Sequence, residues 1–234
     1  LAHYHSVHGL TIRDRIFGYI HEISRISSHA SPLANFALNN PLSHWLLSHM
    51  NIHPNRSFPR FAGETFTNWF HNRQPAKPRT AGGKAVYFHD TWTTFYYPEV
   101  GQAAVKLLEV AGFEVILVAN RACCGRPMLS KGMVEPARSR ALRNVELLST
   151  YARKGIPIIG TEPSCILTFR DEYPDLLPGN SDVRIVAESL FLLEEFLLDL
   201  DKKKQLNIPW KSDNQSVFFH GHCHQRALIG SEPS

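Results

Sequence analysis

The sequence predicts an α/β fold, in which a mainly parallel sheet has helices on both faces and a small helical segment precedes it. Two observations lead to this prediction. From residue 84 onwards, short apolar runs alternate with stretches in which apolar residues follow helical spacing. Strands separated by roughly 10 to 20 helical residues require crossover connections, and these make neighbouring strands parallel. Earlier residues show helical spacing that prolines interrupt, which indicates short helices.

The chain divides into four predicted parts. The helical segment is expected over residues 1–75, and the polar, proline- and glycine-rich run over residues 76–83 predicts a linker. A first α/β domain is expected over residues 84–212, and residues 213–234 are expected to begin a second, truncated domain of the same kind. Because a domain seldom ends just after a new strand–turn–helix unit begins, we expect the chain to be a fragment of a longer protein.

Within the α/β domain, strand-length apolar runs alternate with helical patterns. We expect strands over residues 85–89, 113–119 and 156–160. We expect helices over residues 99–111, 134–154, 164–173 and 187–200. A further strand-like run over residues 216–220, followed by a helix that opens near Gln225, repeats this pattern at the end of the sequence.

Composition and charge exclude several classes of protein. The content of 43% hydrophobic and 20% charged residues is ordinary for a globular domain, which argues against disorder, collagen or a coiled coil. The net charge of +4 comes without a cluster of lysines and arginines, so we expect no nucleic-acid partner. No signal-peptide pattern and no long apolar run are present, so we expect a cytoplasmic protein. Glycine-rich phosphate loops and a nucleophile elbow are absent from the sequence too.

The four cysteines predict metal or redox chemistry. They are too few for a disulfide scaffold, and the adjacent residues Cys123 and Cys124 cannot pair with ordinary disulfide geometry. Each cysteine follows a predicted strand. Since ligands of parallel sheets bind beyond the carboxyl ends of the strands, we expect the thiols to lie at one edge of the sheet.

Two short motifs carry three of these cysteines. In the first, Cys123 and Cys124 supply adjacent thiols, Gly125 lets the backbone pass close to inorganic sulfur, and Arg126 would favour the thiolates. In the second, a helix is expected to begin just before Cys165, and its N-terminus would favour a thiolate there. The alternative for both motifs is that they hold small, buried structural cysteines.

Histidines and Asp90 give weaker signals. His222, Cys223 and His224 are soft or borderline metal ligands, and zinc is one candidate, although we expect at least one of the nearby histidines to form only a hydrogen bond. Nine of the 13 histidines lie in the first 71 residues without metal-ligand spacing, which favours surface or packing roles. We expect Asp90 to cap the helix that follows it.

Taken together, the motifs resemble the cysteine-rich CCG domains of iron–sulfur oxidoreductases. This family includes subunits of heterodisulfide reductase and of anaerobic glycerol-3-phosphate dehydrogenase, and the iron–sulfur subunit of glycolate oxidase. The greatest similarity is to the C-terminal part of fused FAD-linked oxidases of the D-lactate dehydrogenase type. The matching residues are 122–127 with Gly132, 161–165 with 171–176, and 219–225, together with 8–9, 13–15 and 58–62 in the helical segment.

This resemblance implies an iron–sulfur electron-transfer module of a flavin-dependent dehydrogenase that oxidises a 2-hydroxy acid or glycerol 3-phosphate. It implies that the FAD lies on a missing or partner domain, next to a ferredoxin-like domain. It also implies a quinone or membrane electron acceptor, with the protein peripheral on the inner face of the cell membrane. The chain alone would not be a complete catalyst.

The resemblance also implies a set of ligands for an iron–sulfur cluster, with [4Fe-4S] as the expected type and zinc as the alternative. Turns at Gly125 and Pro163 would shape the site, and His222 and His224 would be further candidates. The implied cysteine ligands are Cys123, Cys124, Cys165 and Cys223.

Two departures from the family pattern limit this inference. Thr91 and Thr168 stand where the fullest pattern has cysteines, so a five-cysteine cluster of the heterodisulfide reductase type is incomplete here. Two alternatives therefore remain open. One is a structural zinc or docking domain without electron transfer, and the other is a thiol–disulfide redox enzyme that uses Cys123 or Cys165.

Overall fold

A computed structural model describes residues 1–53, 58–75, 82–206, 208–210, 216 and 218–230. The predicted linker falls mostly on residues 76–81, which lie outside the described residues. The segment before it contains six helices among the described residues: α1 (Ala2–His8), α2 (Ile12–Gly18), α3 (Ile20–Ser28), α4 (Ser31–Leu38), α5 (Pro41–Ser48) and α6 (Phe66–Asn72).

Strands and helices then alternate along the chain. The first half of this part contains β1 (Lys84–Tyr87), α7 (Thr91–Phe95), α8 (Pro98–Val110), β2 (Glu114–Ile116), α9 (Arg126–Leu129) and α10 (Val134–Ala152). The second half contains β3 (Ile158–Gly160), α11 (Pro163–Leu176), α12 (Ser181–Glu188), β4 (Leu190–Leu192), α13 (Leu193–Lys202) and α14 (Cys223–Leu228).

The four strands form one parallel sheet in the order β2-β1-β3-β4, which confirms the predicted α/β class. The register pairs Lys84 with Glu114, Val86 with Ile158, and Ile158 with Leu190. The chain adds β2 on one side of β1 and β3 on the other. The order of the strands therefore reverses between β1 and β3. Such a reversal opens a crevice beyond the carboxyl ends of these two strands, and open α/β sheets bind ligands in this crevice.

Each face of the sheet is covered by helices, because successive strand residues point to opposite sides. Val86 and Phe88 pack into a core with side chains of α10, α11 and α12, whereas Ala85 and Tyr87 pack into a second core with α8, α13 and α6. Both faces are therefore apolar, and this is why the strands read as continuous hydrophobic runs in the sequence.

The prediction of a single helix over residues 187–200 is wrong. Helix α12 ends at Glu188, the buried residues Leu190 and Leu192 form strand β4, and helix α13 follows at once. A short apolar run satisfies either a buried strand or a buried helix, so its spacing alone did not separate the two. The Glu195 carboxylate accepts a hydrogen bond from the Leu192 amide and so marks where the new helix begins.

The C-terminal pattern is confirmed only in its helix. Helix α14 includes Gln225, as expected, but the described residues of the predicted strand, 216 and 218–220, are not part of the sheet. No described helix combines the length and apolarity that a membrane span requires.

The early helices pack directly onto the α/β part. Ser24 on α3 hydrogen-bonds the Tyr96 hydroxyl at 2.8 Å, and the Arg140 guanidinium on α10 donates to Glu22 at 2.8 Å. The Arg73 guanidinium, just after α6, lies 2.7 Å from the Glu109 carboxylate on α8. The helical segment thus supplies one wall of the region beyond the strand ends.

Candidate functional site

Three of the four cysteines meet beyond the carboxyl ends of the strands. Cys123 and Cys124 lie in the loop after β2, and Cys165 lies in the first turn of α11, after β3. The Cys124 sulfur is 3.1 Å from the Cys165 sulfur, and the Cys123 thiol hydrogen-bonds that of Cys124. The convergence that strand-end placement predicted is therefore present for these three thiols.

Gly125 shapes the turn that presents the paired cysteines. Its φ of 86° is in the left-handed region, and it forms the residue before α9. A residue with a Cβ would be strained in this conformation, so glycine is needed to turn the chain directly after Cys124.

The backbone of this turn is held by two buried side chains that sequence reasoning missed. The Asn144 side chain accepts a hydrogen bond from the Ala122 amide at 2.9 Å and donates one to the Cys123 carbonyl at 3.1 Å. The Tyr173 hydroxyl donates to the Cys124 carbonyl at 2.9 Å and lies 3.1 Å from the Asn144 amide nitrogen. A signal for Asn144 existed, since it is a polar residue on the buried face of a predicted helix.

Cys165 is positioned by the start of α11. The Glu162 carboxylate caps this helix and accepts the Cys165 amide hydrogen at 2.5 Å, while Pro163 occupies the first turn. The Ser164 hydroxyl donates to the same carboxylate at 2.9 Å. These contacts fix the Cys165 backbone beside the paired cysteines.

The environment disfavours thiolates at all three cysteines. The hydrogen bond that the Cys123 thiol donates to Cys124, together with burial, raises the pKa of Cys123. At Cys124, a hydrogen bond with Cys123 favours the thiolate, but the hydrogen bond to Cys165 and burial outweigh it and raise the pKa. At Cys165, the Cys124 contact also favours the thiolate, while burial and the Glu162 charge raise the pKa.

The expected thiolate stabilisation by Arg126 and by the N-terminus of α11 is therefore too weak to decide the protonation state. Arg126 forms an ion pair with Glu172 instead, so its charge is already largely balanced. The helix N-terminus faces the Glu162 carboxylate, which is itself negative and close to Cys165.

A second positive group, Arg121, lies beside the thiols and was also missed. One of its terminal nitrogens lies 3.0 Å from His89 Nδ1 and donates to Thr94 Oγ1 at 3.2 Å, and its guanidinium lies over the Phe88 ring. Burial lowers the pKa of Arg121, whereas negative charge on Cys123 or Asp90 would raise it. Asp90 caps α7 as predicted, through the Trp92 and Thr93 amides.

The C-terminal motif packs on α11, but its cysteine is exposed. The Nε2 atom of His222 lies 3.2 Å from the Ser164 hydroxyl, next to Cys165 in sequence, and His224 Nε2 lies 3.4 Å from the Asp171 carboxylate. Cys223 is the first residue of α14 and is exposed to solvent. His224, Asp171 and Glu172 place three potential ligand atoms within 4.8 Å of one another.

The two threonines that replace family cysteines are both buried at the site. Thr91, the first residue of α7, lies with its hydroxyl 2.9 Å from His21 Nδ1. Thr168 is one helical turn after Cys165, and its hydroxyl donates to the Ser164 carbonyl at 2.6 Å. Thr168 is therefore close to Cys165 on the same helix, and neither threonine side chain offers sulfur.

Comparisons with known proteins agree with this geometry. Residues 86–170 match the family described as CCG, cysteine-rich domain. The chain is 28% identical over 221 residues to a subunit of the anaerobic glycerol-3-phosphate dehydrogenase of Escherichia coli K12, an alignment that covers 93% of this chain and 54% of the relative. No solved structure shows significant similarity to this chain.

Two further relatives match over a shorter range. Lactate utilization protein A of an Exiguobacterium species is 30% identical over 140 residues, with 58% of this chain and 55% of the relative aligned. D-2-hydroxyglutarate dehydrogenase of Haemophilus influenzae is 27% identical over 145 residues, with 62% of this chain and 14% of the relative aligned. The chain spans about half the length of the first curated relatives it matches. Residues 86–170 are thus a cysteine-rich CCG domain, and these dehydrogenase and lactate-utilization proteins are homologues of the chain.

Proposed function

We propose that this chain is an iron–sulfur electron-transfer module of a flavin-dependent dehydrogenase. The observation that carries the proposal is the convergence of three thiols from the loop after β2 and the first turn of α11, with the Cys124 and Cys165 sulfurs 3.1 Å apart at the carboxyl edge of the sheet. The relatives support the dehydrogenase part, because two of them are named as a dehydrogenase or as part of one.

The donor set fits an iron–sulfur cluster. Thiolates are the ligands that hold such clusters, and Cys123, Cys124 and Cys165 would supply three of them. The raised pKa values mean that the thiols need a strong cation before they release their protons, as binding of iron provides. When bound, the cluster supplies one-electron transfer.

The surrounding residues would orient and balance this group. Gly125 turns the chain directly after the paired cysteines, while Asn144 and Tyr173 hold the loop backbone in place. Arg121 places a positive charge near the sulfurs, which would offset the negative charge of thiolate ligands. We propose Cys223 as the fourth ligand, because α14 packs on α11.

Zinc is a second candidate, and one contact favours it. The His222 imidazole lies against Ser164, directly beside Cys165 in the chain. Three thiolates and one imidazole form a common set for structural zinc, which is four-coordinate. In this case the chain would be a structural or docking domain without electron transfer, and His224 would only support the segment.

A thiol–disulfide enzyme is less compatible with the geometry. This function needs an accessible thiol with a lowered pKa. Cys123 is buried, Cys165 is only partly exposed, and the pKa of each is raised.

The partners follow from the family and from the proposed role. We propose that FAD lies on a partner or adjoining domain, that a ferredoxin-like domain relays electrons between it and this chain, and that the substrate is a 2-hydroxy acid or glycerol 3-phosphate. A quinone or another membrane acceptor would take the electrons, with the protein on the inner face of the cell membrane. The [4Fe-4S] type is proposed because four thiolates are a standard ligand set for it.

Anaerobic reconstitution tests the proposal. The chain is incubated with iron and sulfide, and absorption near about 400 nm, which dithionite should bleach, is measured together with bound iron, sulfide and zinc. We expect colour, iron and sulfide in the wild type and their loss in Cys124→Ser and Cys165→Ser. The Ser130→Ala variant, an exposed change just after α9, serves as a control. A colourless chain with one zinc would overturn electron transfer in favour of the zinc domain, and a chain without metal would overturn both.

A further inference from the structure

A second candidate site lies beside the thiols, in a cavity that borders the proposed cluster site and shares Arg121 with it. The cavity has a volume of about 320 Å³ and opens between the helical segment and the loops that follow β1 and β2. We call it the basic cavity, and define it by six of its lining residues: His21, Arg25, His71, His89, Thr94 and Arg121.

The lining of the basic cavity is positively charged and lacks a balancing acid. Arg25 and Arg121 both face it, and no aspartate or glutamate is among its described lining residues. Within the described part of the chain, neither guanidinium has a carboxylate within 4.0 Å, in contrast to Arg126 or Arg140. Arg25 is exposed, but Arg121 is partly removed from water, and a charge in that position without an ion-pair partner is costly, so this arrangement favours an anion.

The hydrogen bonds of Arg121 leave capacity for such a ligand. Its terminal nitrogens are engaged by His89, Thr94 and the Ala122 carbonyl, while its Nε atom is inaccessible to solvent and has no partner among the described residues. An unsatisfied donor of this kind is rare in folded proteins and calls for an explanation.

Two imidazoles add neutral polar groups rather than further charge. Burial, together with Arg121 and Arg25, lowers the pKa of His21 to about 3. Burial and Arg121 also lower the pKa of His89.

Part of the cavity lining is apolar, and this favours anions that carry a hydrocarbon group over inorganic anions. The apolar part of the lining consists of Phe95, Leu117 and Val118, and the loop then turns at Asn120, whose φ of 57° is in the left-handed region. Inorganic anions gain nothing from such a wall, whereas a hydrocarbon group loses contact with water there. Strained turns of this kind tend to occur at binding and catalytic sites.

We propose that the basic cavity binds a small organic carboxylate, with its carboxylate toward Arg25 and Arg121 and its hydrocarbon part against Phe95 and Leu117. The volume is at the lower end of the range for small-molecule sites, so it accommodates a body of only a few carbon atoms. Arginine binds carboxylates with two parallel hydrogen bonds, which fits a site with two guanidinium groups.

The test compares a carboxylate with its neutral counterpart of the same shape. The 234-residue chain is titrated by calorimetry at pH 7 and low salt with 3-methylbutanoate, 3-methylbutanamide and inorganic phosphate. We expect the carboxylate to bind at least about tenfold more tightly than either control, because only the carboxylate satisfies both the charge and the apolar wall.

Matched variants locate the binding. Arg25→Gln should weaken carboxylate binding about fivefold, because it removes a partly solvated ion pair. Arg15→Gln removes the same charge from an exposed site on α2 that does not line the cavity, and should leave binding unchanged. Arg121→Lys keeps the charge but loses the bidentate guanidinium donor, so it should also weaken carboxylate binding. If Arg25→Gln does not fold, Arg121→Lys serves as the test variant in its place.

Three outcomes would overturn the proposal. They are equal binding of carboxylate and amide, no binding of the carboxylate at a concentration of about 10 mM, and equal losses in the Arg25 and Arg15 variants. Since no readout uses iron, a failure here leaves the electron-transfer proposal intact, and a failure to bind iron leaves the carboxylate site intact.

Discussion

The loop that carries Cys123 and Cys124 and the segment that carries Cys223 both contact helix α11, but they do so differently. The loop is buried, and its carbonyls receive hydrogen bonds from the buried residues Asn144 and Tyr173. The segment lies on the outside of the helix, where exposed His222 and half-buried His224 contact Ser164 and Asp171.

The buried loop and the outer segment therefore differ in how much their contacts contribute to stability. Water cannot replace the partners of the buried loop, so each of its hydrogen bonds is costly to lose. Water can replace most partners of the outer segment, so its contacts contribute little to stability. The loop thus has the rigidity of a preformed ligand set, and the segment can supply a ligand without determining the fold.

The largest effect on stability is expected when the hydrogen bonds of Asn144 to the cysteine loop are removed. Asn144→Ala leaves the Ala122 amide and the Cys123 carbonyl buried without partners. We expect the free energy of unfolding to fall by about 3 kcal/mol, together with reduced metal retention. Urea unfolding measures the first effect. Asn72→Ala, the same change at the exposed end of α6, should change the free energy of unfolding by less than about 0.5 kcal/mol. Equal effects of the two substitutions would contradict a stabilising role of the Asn144 hydrogen bonds.

Acid sensitivity separates a buried histidine from the outer ones. The pKa of His21 is about 3 in the folded chain, because of burial and the nearby arginines, and about 6.5 when unfolded. The unfolded state therefore binds a proton more readily, and stability falls as the pH drops from 6.5 towards 3. We expect this group to cost about 2 kcal/mol between pH 7 and pH 5.

Unfolding at a series of pH values checks this expectation. His21→Gln should flatten the loss of stability between pH 7 and pH 5, whereas His220→Ala, an exposed change in the outer segment, should leave the slope as in the wild type. An unchanged slope in His21→Gln would show that the acid sensitivity arises elsewhere.

A smaller effect is expected where the cap of α11 holds Cys165. Glu162→Ala removes the acceptor for the Cys165 amide and should lower the free energy of unfolding by about 1 kcal/mol. Glu162→Asp or Glu162→Ser, each of which keeps an oxygen that can cap the helix, should restore part of this loss. We expect the reconstituted cluster to be retained less well in Glu162→Ala than in these two variants. Equal retention in all three variants would contradict the role of Glu162 in positioning Cys165.

The sequence predicted the parts of this architecture that depend on local pattern. The alternation of apolar runs and helices after residue 84 predicted the parallel sheet, and the position of Cys123, Cys124 and Cys165 after strands predicted that they would meet. The run Leu190–Leu192 was assigned to a helix because its neighbours on both sides are helical and its own spacing fits either state.

The residues that were missed act through packing between distant elements. Asn144 reaches the cysteine loop only because α10 crosses behind it, and Arg121 reaches His89 because β1 and β2 are neighbours. Neither contact leaves a local signature in the sequence. Cys223 was grouped with the other thiols on motif alone, and its exposure depends on how α14 packs on α11.

The outer segment gives the smallest effect on stability and the sharpest distinction between metals. Cys223→Ser and His222→Ala should each change the free energy of unfolding by less than about 0.5 kcal/mol, because both side chains are exposed. If iron–sulfur is the bound group, Cys223→Ser should reduce bound iron by at least about half, and His222→Ala should leave it unchanged, since these clusters prefer thiolate ligands. His220→Ala is the control in the same segment. The reverse order, with zinc lost in His222→Ala and retained in Cys223→Ser, would assign the fourth position to the imidazole that already lies against Ser164.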